Sequence, residues 1–131
     1  MKQTPVHLLP ASKYDVEKAQ ELIDRGWPAV EPVISSILEW LQDLNWPVAK
    51  VFQPFAVSVG APLAPAVRQV LLGSDSGWKY SLLVGVVALS QELELALIPE
   101  LECLATRPSS SDQAEGLQEL ALEILQHLDM G

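Results

Sequence analysis

The chain has 131 residues, of which 49% are hydrophobic and 19% are charged, a composition typical of one globular domain and too apolar for a disordered chain. Its longest apolar run, residues 82–89, falls well short of the ~20 residues that a membrane helix needs, so no membrane association is expected. The N-terminal region lacks a hydrophobic segment of signal-peptide length, and the single cysteine cannot form an internal disulfide bond. A cytoplasmic location is therefore expected.

The net charge of −9 is distributed unevenly along the chain. Residues 45–91 carry three basic and one acidic side chain, whereas residues 92–131 carry one basic and nine acidic side chains. Binding to a nucleic acid backbone depends on Lys and Arg, so nucleic acid is not an expected partner. The acidic end either keeps a surface soluble or attracts a basic protein.

Apolar residues recur every three or four positions through almost the whole chain, and no segment alternates as a strand would. The sequence therefore predicts an all-α protein whose helix ends are marked by glycine and proline. The predicted helices cover approximately residues 15–25, 28–43, 47–60, 62–73, 78–90, 92–106 and 112–128.

Five residues define the boundaries in the first half of the chain. Gly26 and Gly60 are predicted to end helices in the left-handed backbone conformation. Pro28 and Pro47 are predicted in first helical turns, where the missing N–H group has no partner, and Asn45 is predicted to cap the helix that Pro47 opens.

Two further features concern helix shape. Pro54 lies inside the third predicted helix and predicts a bend there. Asp112 and Glu115 predict a capping box at the start of the last helix. That helix is expected to turn an apolar stripe inward and its glutamates outward; the stripe is Leu117, Leu120, Ala121, Ile124 and Leu128.

A repeat of about 33 residues underlies this pattern. Pro32, Pro65 and Pro99 lie 33 and 34 residues apart, and similar apolar spacings follow each of them. Two helices per unit of this length are typical of stacked helical hairpins. The prediction is a single domain, residues 1–131, with hairpins at about 13–44, 45–76 and 77–107 and a capping helix at about 112–128.

Two blocks, WLQD followed by NWPVA at residues 40–49 and WKY at residues 78–80, resemble a bacterial domain family of unknown function in which they occur in the same order. The resemblance covers approximately residues 9–128. The hairpins are also similar to HEAT repeats, with PLAPAVRQVLL at the place of a second helix. This resemblance implies a HEAT-like, right-handed stack of about three αα-hairpins with a C-terminal capping helix, and it implies no activity. The third unit departs from the pattern, because no glycine separates its helices before Pro99.

The residues that catalysis requires are sparse. His7 and His127 have no metal-ligand partner at helical spacing, and no glycine-rich phosphate loop follows a strand. Cys103 lies among leucines and is expected to be a buried, inert thiol. We expect no enzyme activity, no cofactor and no metal.

The cluster most suggestive of binding lies at two predicted inter-hairpin turns, which a stack would bring together on one edge. Tryptophan, tyrosine and desolvated charges are typical of binding hot spots. The alternative is that the rings belong to the core and that the charges form an Asp–Lys ladder between turns. The candidate partner-binding residues are Asp43, Asn45, Trp46, Lys50, Asp75, Trp78, Lys79 and Tyr80.

Three functions are compatible with the sequence. The first is a protein-interaction module, which a small solenoid with an exposed face or edge would provide. The second is an inhibitor or immunity-type protein whose acidic end binds a basic partner. The third is a small-ligand binder or enzyme with a pocket beside Trp46 and Trp78. The expected partner is an unidentified protein, and either a monomer or a homodimer fits.

Overall fold

The computed structural model describes residues 9–130, and the regular structure in this range is entirely helical. The predicted all-α class is confirmed, while His7 lies outside the described residues. The helices are α1 (Val16–Asp24), α2 (Ile34–Glu39), α3 (Pro47–Val59), α4 (Ala64–Leu71), α5 (Ser76–Gly85), α6 (Gln91–Ala96), α7 (Ile98–Thr106), α8 (Ser110–Ala114) and α9 (Leu117–Met130). Short 3₁₀ helices, Glu31–Val33, Ala61–Leu63 and Val87–Leu89, precede α2, α4 and α6.

The strongest boundary signals are confirmed. Gly26 and Gly60 follow α1 and α3 with φ angles of 75° and 72°, a region that glycine enters without a steric penalty. Pro47 is the first residue of α3, and Trp46 before it is extended, with φ −63° and ψ 140°. α3 continues past Pro54, and the bend there stays a prediction.

The predictions for the start of the second helix and the cap of the third were wrong. Residues 27–30 form a turn in which the Val30 N–H bonds to the Gly26 carbonyl, so Pro28 is not in a helical first turn and α2 begins only after a 3₁₀ segment. Asn45 does not cap α3. Its own N–H donates to Asp43 Oδ1 at 2.9 Å, and the position before the helix belongs to Trp46.

The fifth predicted helix also differs from the structure. α5 begins earlier than predicted, because Asp75 accepts a hydrogen bond from the Trp78 N–H and caps the helix. It ends at Gly85, and a 3₁₀ helix leads to Ser90, which caps α6.

The sixth and seventh predicted helices are each divided in two. The sixth breaks at Leu97, because Pro99 in the first turn of α7 has no N–H to continue the preceding helix. The seventh breaks at Gly116, whose φ is 76°. The capping box at Asp112 and Glu115 was wrong: Ser109 caps α8 by accepting from the Asp112 N–H at 3.1 Å.

The helices pack so that α1 contacts α3, α2 contacts α4, and α7 contacts α9. The predicted inward stripe of α9 is confirmed, with Leu117, Ala121 and Ile124 buried and its glutamates exposed. Three side-chain contacts join residues 32 or 33 positions apart, close to the predicted repeat. They link Gln53 to the Gly85 carbonyl, Arg68 to Glu100, and Lys79 to Asp112.

Replacement of Gly60 by alanine is expected to destabilise the protein by about 1–3 kcal/mol, because φ 72° and ψ −132° strain any residue with a Cβ atom. That Cβ would also lie 2.9 Å from Glu92 Oε1. Urea unfolding of Gly60→Ala measures the loss. Gly77→Ala is the control, because Gly77 is helical and its Cβ meets nothing closer than 3.6 Å; a similar loss in both variants would contradict the prediction.

Candidate functional site

The two turns chosen from the sequence approach each other, but their side chains have different environments. The Ser81 hydroxyl donates to the Gln42 carbonyl at 2.9 Å, which ties α5 to the segment that follows α2. Of the eight candidates, Asp43, Asn45, Lys50, Asp75 and Tyr80 are exposed, Trp46 and Trp78 are partly buried, and Lys79 is buried.

Most of the polar candidates serve local structure. Asp43 accepts from the Asn45 N–H, and Asp75 accepts from the Trp78 N–H at 3.0 Å at the start of α5. The Trp46 ring packs edge-on against Trp40, with centroids 5.8 Å apart and planes at 71°. Of these contacts, the one made by Asp75 caps a helix and explains its position before α5.

Lys79 is directed into the protein rather than toward a partner. Its Nζ lies 3.0 Å and 3.3 Å from the two carboxylate oxygens of Asp112, which also accepts from the Ser76 hydroxyl at 2.7 Å. Lys79 is 4% exposed and Asp112 is 5% exposed. Within residues 9–130 neither Asp43 nor Asp75 pairs with a lysine, so the Asp–Lys ladder does not form.

The environment of Asp112 stabilises its charge. Burial alone would raise the pKa of this carboxyl, but hydrogen bonds from Ser76 and Lys79, the Lys79 charge and the backbone hydrogen bond with Ser109 together hold the pKa below its usual value. The ion pair fixes α5 to α8, so it links the third predicted hairpin to the predicted capping helix.

Trp78 forms part of a surface groove, which we call the α2–α4 groove. The groove lies between α2 and α4, with the Trp78 ring beside them, and has a volume of about 210 Å³. The indole N–H of Trp78 donates to the Leu38 carbonyl at 2.8 Å, which fixes the ring against α2. The lining residues are Ser35, Leu38, Glu39, Ala66, Gln69, Val70 and Trp78.

Comparison with the next pair of helices explains why this groove is open. Between α4 and α7, Arg68 Nε bonds to Glu100 Oε1 at 3.0 Å, and Arg68 also donates to the Ala96 carbonyl at 3.2 Å. The positions one repeat earlier in the sequence, three residues after Pro32 and one after Pro65, hold Ser35 and Ala66.

Both of these short residues line the α2–α4 groove. A long ion pair therefore bridges α4 and α7, while the corresponding positions between α2 and α4 leave space.

The groove is lined mainly by carbon, and its polar lining residues are Ser35, Glu39 and Gln69. The single N–H of the Trp78 ring is already bonded, so the rest of the ring contributes only an apolar surface. Glu39 is the charged lining residue, and it makes no ion pair with any residue between 9 and 130. In the same range, no three His, Cys, Asp or Glu side chains gather closely enough to hold a metal ion. The groove can therefore bind an apolar group next to a cation.

Glu94 is a buried acid outside the groove. It is 3% exposed, and burial raises the pKa of its carboxyl above the usual 4.5, while the charge of His127 acts in the opposite direction. A carboxyl with a raised pKa in the folded state opposes folding once it is ionised.

Replacement of Glu94 by glutamine is therefore expected to raise the free energy of unfolding at about pH 7. The difference from the wild type should shrink at pH values below 4.5, where the carboxyl is protonated in both states. Urea unfolding at about pH 7 and about pH 4 tests this. Glu102→Gln, at an exposed position of α7, is the control; an equal gain in both variants would contradict the role of burial.

Two other sequence expectations change in the structure. Cys103 was expected to be buried, but it is exposed on α7, because the inward face of that helix belongs to Leu101, Leu104 and Ala105. Three of the nine acidic side chains in residues 92–131 are not available to a partner. Glu100 and Asp112 are used in ion pairs with Arg68 and Lys79, and Glu94 is buried.

Sequence reasoning placed a pocket beside Trp46 and Trp78 only in its ligand-binding alternative, and it missed Ser35 and Ala66, which line the groove beside Trp78. Hot-spot composition favours large aromatic and charged side chains, whereas the groove results from two small ones. The predicted repeat contained the missing signal, because aligning Pro32, Pro65 and Pro99 sets Ser35 against Arg68 and Ala66 against Glu100.

The fold and the site define an all-helical protein with an apolar surface groove. Over residues 9–130 no helix combines the length and the apolar composition needed to cross a membrane. The chain belongs to the family described as Domain of unknown function (DUF5071), whose family model matches residues 8–125. The comparison with curated proteins found no match.

Proposed function

We propose that this protein is a HEAT-like helical-repeat module that binds another protein chain in the α2–α4 groove. The contacts between residues 32 or 33 positions apart support a stack of repeated hairpins, since their separation is close to one predicted repeat of about 33 residues. The observation that carries the function is the open groove itself, where Ser35 and Ala66 replace the ion pair of the next interface.

The size of the groove favours a protein partner over a small molecule. Its volume is about 210 Å³, whereas small-molecule sites in proteins usually have about 300–1,000 Å³. A space of this size suits one or two apolar side chains of a partner. Trp78 beside it is of the residue type most enriched among binding hot spots.

The second candidate function is an inhibitor-type protein that binds through its acidic end, and one observation supports it. Six acids of residues 92–131 remain exposed after the paired and buried ones are set aside; they are Glu92, Glu102, Glu115, Glu119, Glu123 and Asp129. Binding by such exposed charges would be screened by salt, whereas binding in an apolar groove would persist.

A groove-closing variant, S35R/A66E, separates the two functions. It places between α2 and α4 the residue types that form the ion pair between α4 and α7. The glutamate that replaces Ala66 would lie in the first turn of α4, where an acid is favourable. We expect the wild-type protein to recover a stoichiometric partner from a lysate of its own cells at low and at high salt. The groove-closing variant is expected to lose that partner while keeping the wild-type unfolding midpoint.

The matched control changes the acidic face instead. E119Q/E123Q removes two exposed charges from α9 and leaves the groove unchanged, so it should still bind the partner. If E119Q/E123Q or high salt removes the partner while S35R/A66E retains it, the inhibitor function replaces the proposed one. Recovery of no partner under either salt condition would contradict both.

A further inference from the structure

We infer, on the basis of the proposed function, that the occupant of the α2–α4 groove is a basic amphipathic α-helix of the partner protein. This helix inserts an apolar side chain of leucine or methionine size beside Trp78 and places a lysine or arginine against Glu39.

The apolar anchor follows from the shape and chemistry of the groove. Leu38, Ala66, Val70 and Trp78 supply carbon surface, and the polar atom of the Trp78 ring is already bonded to the Leu38 carbonyl. A polar side chain inserted here would lose its water without gaining a hydrogen bond from the ring, which is unfavourable. An aliphatic side chain loses no hydrogen bonds and gains burial.

The helical form of the partner follows from the walls of the groove. Both walls are helices, and helical backbone N–H and C=O groups bond along their own axis. They offer no sheet edge to which an extended segment could add, as strand-binding domains do. A partner helix has already satisfied its own backbone groups, so it can pack ridges into the groove with no unpaired backbone.

The basic character of the helix follows from charge. Glu39 is the charged residue of the lining and has no ion pair within the described residues, and the chain as a whole carries −9. Arg68, the cation of the neighbouring interface, is occupied by Glu100. A lysine or arginine of the partner therefore meets an available carboxylate, and an acidic side chain would be repelled.

A second apolar contact extends the groove along α4. Leu72 is 68% exposed and directly follows α4 with helical backbone angles, three positions after Gln69, so the two residues lie on the same side. A partner helix with apolar residues at spacings of three or four can contact the groove and Leu72 together.

The experiment is a selection of peptides of about 16 residues, long enough for several helical turns, from a random display library on the wild-type protein. The selected peptides are then measured on S35R/A66E and on R68S/E100A. R68S/E100A removes the ion pair of the α4–α7 interface and leaves the α2–α4 groove intact.

We expect enriched sequences with leucine, methionine or phenylalanine at spacings of three and four, with nearby lysine or arginine and without proline. Their affinity should fall about tenfold or more on S35R/A66E and stay unchanged on R68S/E100A. Circular dichroism should show helix gained on binding. A charge swap tests Glu39 directly: changing the peptide lysine to glutamate should weaken binding by roughly two- to fivefold, and Glu39→Lys should restore it.

Two different results would overturn the inference, and they are distinguishable. Proline-rich, acidic or alternating sequences that S35R/A66E still excludes would disprove the basic helix and leave groove binding in place. Peptides that bind S35R/A66E as well as the wild type, or a selection that enriches nothing, would disprove the groove as a docking site and the proposed function with it.

Discussion

Replacement of Lys79 by methionine is expected to lower the free energy of unfolding by about 3–5 kcal/mol, the usual loss when one partner of a buried ion pair is removed. The Asp112 carboxylate would keep its hydrogen bond from Ser76 but lose its counter-charge while 5% exposed. Methionine fills a similar volume, so the loss reports the uncompensated charge rather than a cavity. Urea unfolding at about pH 7 measures it.

Two variants isolate the ion pair. Lys50→Met makes the same change at an exposed lysine and should alter stability by less than about 0.5 kcal/mol. K79M/D112N removes the stranded charge, so it should be more stable than Lys79→Met alone. A double variant no more stable than the single one would show that Lys79 acts through packing.

The pH dependence supplies an independent check of the same pair. The pKa of Asp112 is lowered in the folded protein, so its contribution to stability is fully present above its usual pKa of 3.8 and is lost as the pH falls through the lower folded value. The acid-induced loss of stability should therefore be smaller in K79M/D112N than in the wild type.

Local features of this fold were readable from the sequence because their causes are local. A glycine with positive φ ends a helix whatever the tertiary contacts around it, so the helix ends at Gly26 and Gly60 were predicted correctly. Pro47 likewise needs only its own geometry to open α3. The stripe of α9 follows from the helical period alone.

Other features failed because a nearby competing interaction was stronger. Asp112 resembles a helix cap, but Ser109 three residues earlier accepts the Asp112 N–H and leaves the carboxylate available for Lys79. Gly116 lies within an otherwise helical pattern, and its left-handed conformation separates α8 from α9. Ser109 and Asp112 were both visible in the sequence as candidate helix caps. The contact of Asp112 with Lys79 shows which of them is used for capping.

The groove could not be predicted from single residues, because it results from short side chains where longer ones would fill the space. Hot-spot composition pointed to Lys79, which proves to be buried, and to Trp78, which does line the groove. Ser35 and Ala66 carry no group that would mark them as binding residues on their own. They can be recognised only by comparison with Arg68 and Glu100 at the corresponding positions of the next predicted repeat.

Replacement of Phe52 by alanine is the second large effect, with an expected loss of about 3–5 kcal/mol. Phe52 lies in α3 and is the largest of the fully buried side chains in the described range. α3 packs on α1 and is linked to the end of α5 by Gln53, so a cavity at Phe52 weakens contacts on both sides. Phe55→Ala, one turn away at a partly buried position, is the matched control and should lose less.

This variant also tests whether the protein unfolds as one unit, because the proposed helical-repeat fold would allow its units to unfold separately. The four tryptophans all lie between residues 27 and 78, whereas circular dichroism reports α6 to α9 as well. If folding is cooperative, tryptophan fluorescence and circular dichroism should give the same urea midpoint in Phe52→Ala. A fluorescence transition at lower urea would show that the N-terminal helices unfold separately, and the ion pair between Lys79 and Asp112 would then stabilise only the C-terminal helices.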